Sequence, residues 1–252
     1  GVQNTAVGNL AGFDITTGNY NSLFGLNTGT NVTTGSFNTS VGFAALESQT
    51  TQSQSTAIGA YALNSNVTGQ HNTALGYQAL YANTGSYNTG LGYQALRNNS
   101  TGTENHAVGR FALYDNTTGI RNTAGGNSTL ENNTTGSNNT GFGYAVLFNA
   151  TTASGNTGIG YLAQQYTTTG GNNTTLGNTA GRNITTGSEN TMIGMQAGHN
   201  TTTGRFNTFV GRVAGYSNTT SDNNTALGWG AGYAFGSGTR NTALGRSAME
   251  NG

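Results

Sequence analysis

The stretch Asn72-Thr73-Ala74-Leu75-Gly76 decides the fold, because the chain consists largely of copies of it. Its closing glycine recurs every 17 residues, with one step of 16 residues between Gly76 and Gly92. The fifteen copies end at Gly8, Gly25, Gly42, Gly59, Gly76, Gly92, Gly109, Gly126, Gly143, Gly160, Gly177, Gly194, Gly211, Gly228 and Gly245. Such a period is typical of a solenoid, in which each repeat buries its apolar face only against neighbouring repeats.

The aligned copies keep the same chemistry at four positions. Asn stands four residues before the anchor glycine in 14 of 15 copies, Thr follows it in 13, and an apolar residue precedes the glycine in 14. Ala or Val stands three residues after the glycine in 13 copies. The alternation in N-T-A-L-G has a period of two and predicts a short strand, with Thr and Leu on one face and Asn and Ala on the other.

We therefore predict an all-β fold, a parallel β-solenoid of about 15 coils that forms a single repetitive domain over residues 1–252. Each coil would contain the main strand, a turn at the recurring Thr-Thr-Gly, and a short second strand around the Ala-Leu pair. We assign the apolar column before the glycine to the core. The structural core residues of the repeat would be Asn72, Leu75, Gly76 and Ala79. Stacked Asn side chains would form a hydrogen-bonded ladder.

A column four residues after the anchor glycine changes along the chain. It holds Leu in the middle copies and Gly in most of the others. The leucines are Leu46, Leu63, Leu80, Leu96, Leu113, Leu130 and Leu147, and the glycines are Gly12, Gly29, Gly181, Gly198, Gly215 and Gly232. Because glycine allows close backbone approach, we expect the packing of the coils to differ between the middle and the ends.

Composition excludes several classes of function. Charged residues make up 6% of the chain and the net charge is zero, which removes the electrostatic footprint of a nucleic-acid binder. No basic run would hold the chain on an anionic membrane, and no apolar run would span one. Cysteine is absent, which excludes disulfides and thiol chemistry.

Residues that could carry catalysis are dispersed. His71, His106 and His199 stand in three different columns, and the aspartates are equally scattered. We therefore expect no metal ligand set and no paired carboxylates. The sequence predicts a protein that is not an enzyme and that needs no cofactor.

Candidate binding residues stand in the columns that do not keep their chemistry. The clearest lies five residues after the anchor glycine, where aromatic and Arg side chains recur: Phe13, Tyr81, Arg97, Tyr114, Phe148, Arg182, Tyr216 and Tyr233. These side chains could stack on sugars or on a neighbouring chain. The alternative is that they are scattered surface aromatics without a function.

The repeat resembles known fibre sequences. Asn72-Thr73-Ala74-Leu75-Gly76, followed by Ala79-Leu80, is similar to the head repeat N-S-V-A-I-G-x-x-S of trimeric autotransporter adhesins. It resembles even more closely the repeats of bacterial and phage tail-fibre proteins, which commonly end in a self-cleaving chaperone domain. The resemblance covers the whole chain and implies a β-roll or β-helix, three chains around one axis, and a role in surface attachment. This chain departs from the adhesin head in its 17-residue period and in having Thr where that repeat has Val.

Two functions follow as expectations. The first is the shaft or head of a homotrimeric, non-catalytic fibre on a cell surface or virion, which binds a surface glycan or a protein receptor. The alternative is an ice-binding or carbohydrate-binding β-solenoid, which the repeating Thr hydroxyls suggest. Against ice binding, Thr shares its face with the Leu column that we assign to the core. Because the repeats run to both ends without a visible cap, we also expect a longer fibre or end-to-end stacking.

Overall fold

The computed structural model describes residues 1–250 and contains one three-residue strand per repeat. The strands are β1 (Thr5–Val7), β2 (Ser22–Phe24), β3 (Thr39–Val41), β4 (Thr56–Ile58), β5 (Thr73–Leu75), β6 (Thr89–Leu91), β7 (His106–Val108), β8 (Thr123–Gly125), β9 (Thr140–Phe142), β10 (Thr157–Ile159), β11 (Thr174–Leu176), β12 (Thr191–Ile193), β13 (Thr208–Val210), β14 (Thr225–Leu227) and β15 (Thr242–Leu244). Within residues 1–250 there is no helix. The prediction of an all-β fold is confirmed.

The chain divides into two compact units, Gly1–Ala124 and a second that begins at Gly125. In the first unit β1 to β7 pair in parallel and in chain order, so that Val7 lies beside Phe24 of the next coil. In the second unit β9 to β15 pair in the same way. The predicted parallel β-solenoid with a 17-residue coil is confirmed, whereas the single domain over residues 1–252 stays a prediction.

The two faces of each strand are opposite to our assignment. Ala74, at the centre of β5, is completely buried, and Leu75 is 48% exposed. The prediction that Leu75 belongs to the core is therefore wrong. The cause is the small volume inside the coil, where Leu80 already packs against the strand centres. A Cβ added to Gly90, the centre of β6, would lie 3.2 Å from Cγ of Leu80. Only a small residue fits at that position.

The residues after the anchor glycine form turns, so the predicted second strand around Ala79 and Leu80 is wrong. Gln78 and Leu80 both have a φ of 52°, in the left-handed region that non-glycine residues seldom occupy. Bonds to both neighbouring coils hold this backbone in place. The amide of Gln78 donates to Ala60 O at 3.0 Å, and that of Leu80 donates to Ala95 O at 2.9 Å. The turns aim Ala79 inward, and its core assignment is confirmed.

The anchor glycine is required for two independent reasons. Gly76 has a φ of 134°, which side chains rarely allow. A Cβ added there would lie 2.4 Å from the carbonyl oxygen of Gly92 in the next coil. The structural role predicted for Gly76 is confirmed.

The Asn column forms the predicted ladder inside the coil. The fully buried Asn72 donates from Nδ2 to Gly85 O at 2.9 Å, and its Oδ1 accepts the backbone amide of Asn88 at 2.9 Å. In the second unit Nδ2 of Asn190 also donates to Oδ1 of Asn173 at 3.0 Å. The Asn side chains thus provide hydrogen-bond partners for the backbone amide that immediately precedes the strand of the next coil and for a carbonyl oxygen in the turn.

The Leu-to-Gly column marks two ways of filling the core. The leucines of the middle coils are completely buried. Where Gly takes their place in the second unit, a larger side chain at a strand centre fills the space. A Cβ on Gly198 would lie 2.3 Å from Sδ of Met192, and one on Gly215 would lie 2.5 Å from the ring of Phe209. The expected difference in packing is confirmed.

Candidate functional site

The outward face of the strands is the main candidate site. The first residue of each strand, usually Thr, forms a hydroxyl ladder, and the third, usually Val, Ile, Leu or Phe, forms an apolar ladder. Both point away from the buried strand centre because side chains alternate along a strand. Equal positions pair in register, so each ladder repeats at about the 4.8 Å spacing of neighbouring strands.

The apolar ladder is exposed in both units. In the first unit its exposed members are Val7, Phe24, Val41, Ile58, Leu75 and Val108, and in the second they are Phe142, Ile159, Leu176, Leu227 and Leu244. Their exposed fraction lies between 37% at Ile58 and 71% at Leu244. A half-exposed Leu or Ile that is transferred from water to a partner surface contributes on the order of 1 kcal/mol. Covering the ladder with a partner surface is therefore energetically favourable.

An aromatic row lies two residues beyond the apolar ladder. Its exposed members are Phe43, Tyr77 and Tyr93 in the first unit, and Tyr144, Tyr161 and Trp229 in the second. The rings of Tyr77 and Tyr93 stack with their centres 5.5 Å apart. Those of Tyr144 and Tyr161 stack at the same distance. Aromatic side chains in such rows offer large, stiff contact surfaces, as is typical of protein interfaces.

The structure brings three of the predicted binding residues together in the first unit. The guanidinium carbon of Arg97 lies 5.2 Å from the ring centre of Tyr81 and 5.9 Å from that of Tyr114. Nε of Arg97 also donates to Oε1 of Gln78 at 3.1 Å. All three residues are half-buried. The stack stabilises this side of the coils through cation–π contact, and a role in ligand binding stays a prediction.

The equivalent column of the second unit contains another stack. The rings of His199 and Tyr216 lie 5.3 Å apart, and those of Tyr216 and Tyr233 lie 5.1 Å apart. Arg182 lies over Tyr166, with 5.4 Å between its guanidinium carbon and the ring centre. The remaining candidates, the exposed Phe13 and the half-buried Phe148, join neither stack.

The imidazole of His199 is the titratable group that this packing perturbs. Partial burial lowers its pKa below the usual 6.5, and Arg182 lowers it further. The contact between Nδ1 and the carbonyl oxygen of Thr179, at 3.2 Å, acts in the opposite direction. The neutral imidazole is therefore favoured in the folded chain.

Other chemistry is not assembled in the part of the chain that the structure describes. Among residues 1–250 no group of three or more His, Asp or Glu side chains is placed to hold a metal ion. Over the same range no helix has the length and apolar character that a membrane-crossing helix needs.

Sequence reasoning missed the apolar ladder because it assigned those residues to the core. A signal was present in the sequence. The strand centre is Ala or Gly in most copies, as at Ala74 and Gly90, and small residues there indicate the crowded side of the strand. The bulky residues on either side then have to point outward.

Comparison with known proteins adds no relative. No family model matches the chain, and no curated protein or solved structure matches it significantly. The similarity to adhesin heads and tail fibres therefore remains a resemblance of the repeat. Functional inference rests on the outward face and its neighbours.

Proposed function

We propose that this chain is a non-catalytic segment of a surface fibre, in which copies of the chain associate through the apolar ladder. The observation that carries the proposal is the exposure of the ladder. Contiguous exposed apolar surface is uncommon on monomeric proteins and marks interaction sites. The core gives a second reason: a coil that buries one large apolar side chain, such as Leu80 or Phe209, among Ala and Asn has a small apolar core, and association buries more apolar surface.

The resemblance to adhesin heads supports three copies around one axis. When S-V-A-I-G of that repeat is placed on Asn72-Thr73-Ala74-Leu75-Gly76, its two bulky apolar residues fall on Thr73 and Leu75. Both residues belong to strand β5 and flank the buried Ala74. Three such faces turned toward a common axis would cover the apolar ladders and leave the turns exposed. The turns would then be available to a glycan or protein receptor at a cell surface or on a virion.

Sedimentation velocity at micromolar concentration tests the association. The test variant combines Ile58→Glu with Leu75→Glu, and the matched control is Val67→Glu. Val67 and Leu75 are both 48% exposed, but Val67 lies outside the strands. We expect the unchanged chain and the control to sediment as trimers and the ladder variant as a folded monomer with the same circular dichroism spectrum. A folded monomer of the unchanged chain, or equal association of all three proteins, would contradict the proposal.

Ice binding is the second candidate, and one observation favours it. The hydroxyl ladder faces outward, with Thr39 and Thr73 exposed, so the objection that Thr faces inward is wrong. Hydroxyls at regular spacing beside apolar side chains could order water. Phe24 and Phe142 interrupt the flatness of the apolar ladder, which places this candidate second. A thermal hysteresis that Thr73→Tyr reduces would favour ice binding over the fibre.

A further inference from the structure

The first unit has an open groove of about 780 Å³ at the margin of its outward face. It extends over four successive coils. Seven residues line it: His71, Tyr87, Thr89, Glu104, His106, Arg121 and Thr123. The groove takes in two of the three histidines that sequence reasoning treated as isolated.

Two outward columns form the walls of the groove. Thr89, His106 and Thr123 belong to the hydroxyl ladder. The opposite wall comes from the residues that immediately precede the ladder Asn. In one coil Glu104 and His106 flank the completely buried Asn105, so both side chains point outward. Glu104 has a φ of 58°, and the same left-handed conformation recurs at each residue of this wall.

The wall begins with an aromatic platform. The rings of His71 and Tyr87 stack 4.9 Å apart and 7° from parallel. His71 covers one face of the Tyr87 ring, and Glu104 and Arg121 from the following coils line the same groove. Tyr87 is 57% exposed, so the outward edge of its ring is accessible to a ligand.

A pair of opposite charges continues the wall. Nε of Arg121 lies 3.1 Å from Oε2 of Glu104. The two side chains are 58% and 50% exposed, and an exposed pair of this kind contributes little to stability. The pair does hold both groups in defined positions. The terminal nitrogen atoms of Arg121 and the second carboxylate oxygen of Glu104 are left for a ligand.

We infer that this groove binds pyranose units of a neutral glycan. The apolar C–H groups of a sugar ring pack against the exposed outward edges of the stacked His71 and Tyr87 rings. Glu104 accepts hydrogen bonds from sugar hydroxyls, and Arg121 and His106 donate hydrogen bonds to them. Because Glu104 neutralises Arg121, the groove has no excess positive charge to select a phosphate backbone or an acidic sugar. Its open shape over four coils suits an extended chain.

The groove is a local departure from the repeat. The hydroxyl ladder holds Thr or Ser in every other copy, and His106 is the exception. The wall column varies along the chain: in the second unit it holds Asn138, Gly155 and Asn172 but also Glu189, Phe206 and Arg240, and in the first unit Tyr20 stacks on Phe37 as His71 does on Tyr87. What distinguishes the groove is that its aromatic stack is followed directly along the column by the Glu104–Arg121 pair and lies beside His106.

The groove borders the face through which we propose association, because the hydroxyl ladder that lines it lies beside the apolar ladder. The apolar ladder lies on the far side of the hydroxyl ladder, and the groove is complete within one chain. Association is measured by sedimentation and glycan binding by titration, so failure of one leaves the other standing.

Isothermal titration calorimetry with maltotriose, cellotriose and chitotriose at millimolar concentration tests the inference, with trigalacturonic acid as the acidic comparison. We expect saturable binding of at least one neutral trisaccharide. Tyr87→Asn and Glu104→Gln should each weaken the affinity for the trisaccharide by about tenfold or more. The first removes an aromatic packing contact, and the second removes a hydrogen bond to a charged group. Both replacements are residue types that the column already holds with positive φ, at Asn138 and Gln54.

The matched controls are Tyr20→Asn and Glu189→Gln, which make the same changes in the same column of other coils. They should leave the affinity unchanged. Absence of binding by all three neutral trisaccharides would overturn the inference. So would binding of trigalacturonic acid alone, or equal losses in the controls and the groove variants.

Discussion

The Asn ladder predicts a large effect for a single deletion, Asn190→Ala. The side chain of Asn190 is 1% exposed and lies between two coils. Its Nδ2 donates to Gly204 O at 2.9 Å and to Oδ1 of Asn173 at 3.0 Å. Its Oδ1 accepts the backbone amide of Asn207 and the side-chain amide of the same residue, both at 3.0 Å.

The partners of Asn190 decide the magnitude. In the variant, Oδ1 of Asn173 still accepts a hydrogen bond from the backbone amide of residue 190, and Nδ2 of Asn207 still donates to Ser221 O. Two groups lose their hydrogen bond to the Asn190 side chain, namely the backbone amide of Asn207 and the carbonyl of Gly204. A buried polar group without a partner costs about 1–3 kcal/mol, so the two together predict a loss of about 2–6 kcal/mol in the free energy of unfolding.

The assay is urea unfolding followed by circular dichroism, with native-state hydrogen exchange to locate the loss. The control is Thr208→Ala, which removes an exposed hydroxyl in β13, next to the affected amide of Asn207. We expect the control to lose less than about 1 kcal/mol, the span of intrinsic strand preferences. The amide of residue 207 should show the largest gain in exchange rate in Asn190→Ala.

Equal losses in Asn190→Ala and Thr208→Ala would refute the reasoning. They would show that the ladder Asn contributes no more to stability than an exposed strand residue. Unchanged exchange at residue 207 would refute it as well, because its partner is the group that the substitution removes.

Two further predictions concern the turns and the stacked column. Gly76→Ala should lower the free energy of unfolding by more than the roughly 1–3 kcal/mol of an unfavourable backbone conformation, because its Cβ also meets Gly92 O at 2.4 Å. Gly236→Ala is the control, since its φ of 58° is also positive but no atom lies within 4 Å of the added Cβ; equal urea midpoints would contradict the argument. Because the pKa of His199 is lowered in the folded chain, the stability it contributes should be complete above its usual 6.5 and should fall as the pH drops below that value. His199→Gln should flatten this part of the pH dependence of the urea midpoint, and an unchanged profile would exclude His199 as its source.

The solenoid architecture could be predicted from the sequence because the repeat occurs many times in the same register. Period, strand position and the Asn ladder all follow from the copies ending at Gly76 and its equivalents. The turns after Gly76 were not predictable in the same way. Gln78 and Leu80 have no intrinsic preference for positive φ, and hydrogen bonds from neighbouring coils impose it. Hydrogen bonding between stacked coils therefore overrides the intrinsic backbone preference of these residues.

Inside and outside could not be assigned from alternation alone. A period of two defines two faces of β5 but does not say which is buried. The volume that Leu80 contributes to the core settles the question, and it comes from another part of the coil. Where that volume is missing, as at Gly215, the strand centre becomes Phe209 and is buried completely. The two positions have to be considered together before either can be placed.

The groove was hidden for a related reason. Column reasoning separates His71 from His106 because they stand at different positions of the repeat. In the folded unit the wall column and the hydroxyl ladder are neighbours, because in each coil one residue of each column lies on either side of the same buried Asn. Residues from four coils therefore meet at one margin.

This flanking arrangement connects the scaffold to the surface. Asn105 contributes its side chain to the buried ladder, and the same backbone holds Glu104 and His106 outward at a fixed separation. The outward residues take no part in filling the core, so their chemistry can change from coil to coil without altering the stack. A regular solenoid can thus have a repeating apolar ladder and, on the other side of the hydroxyl ladder, a groove that does not repeat. The uniform part and the variable part depend on the same Asn, and loss of that side chain should disturb both.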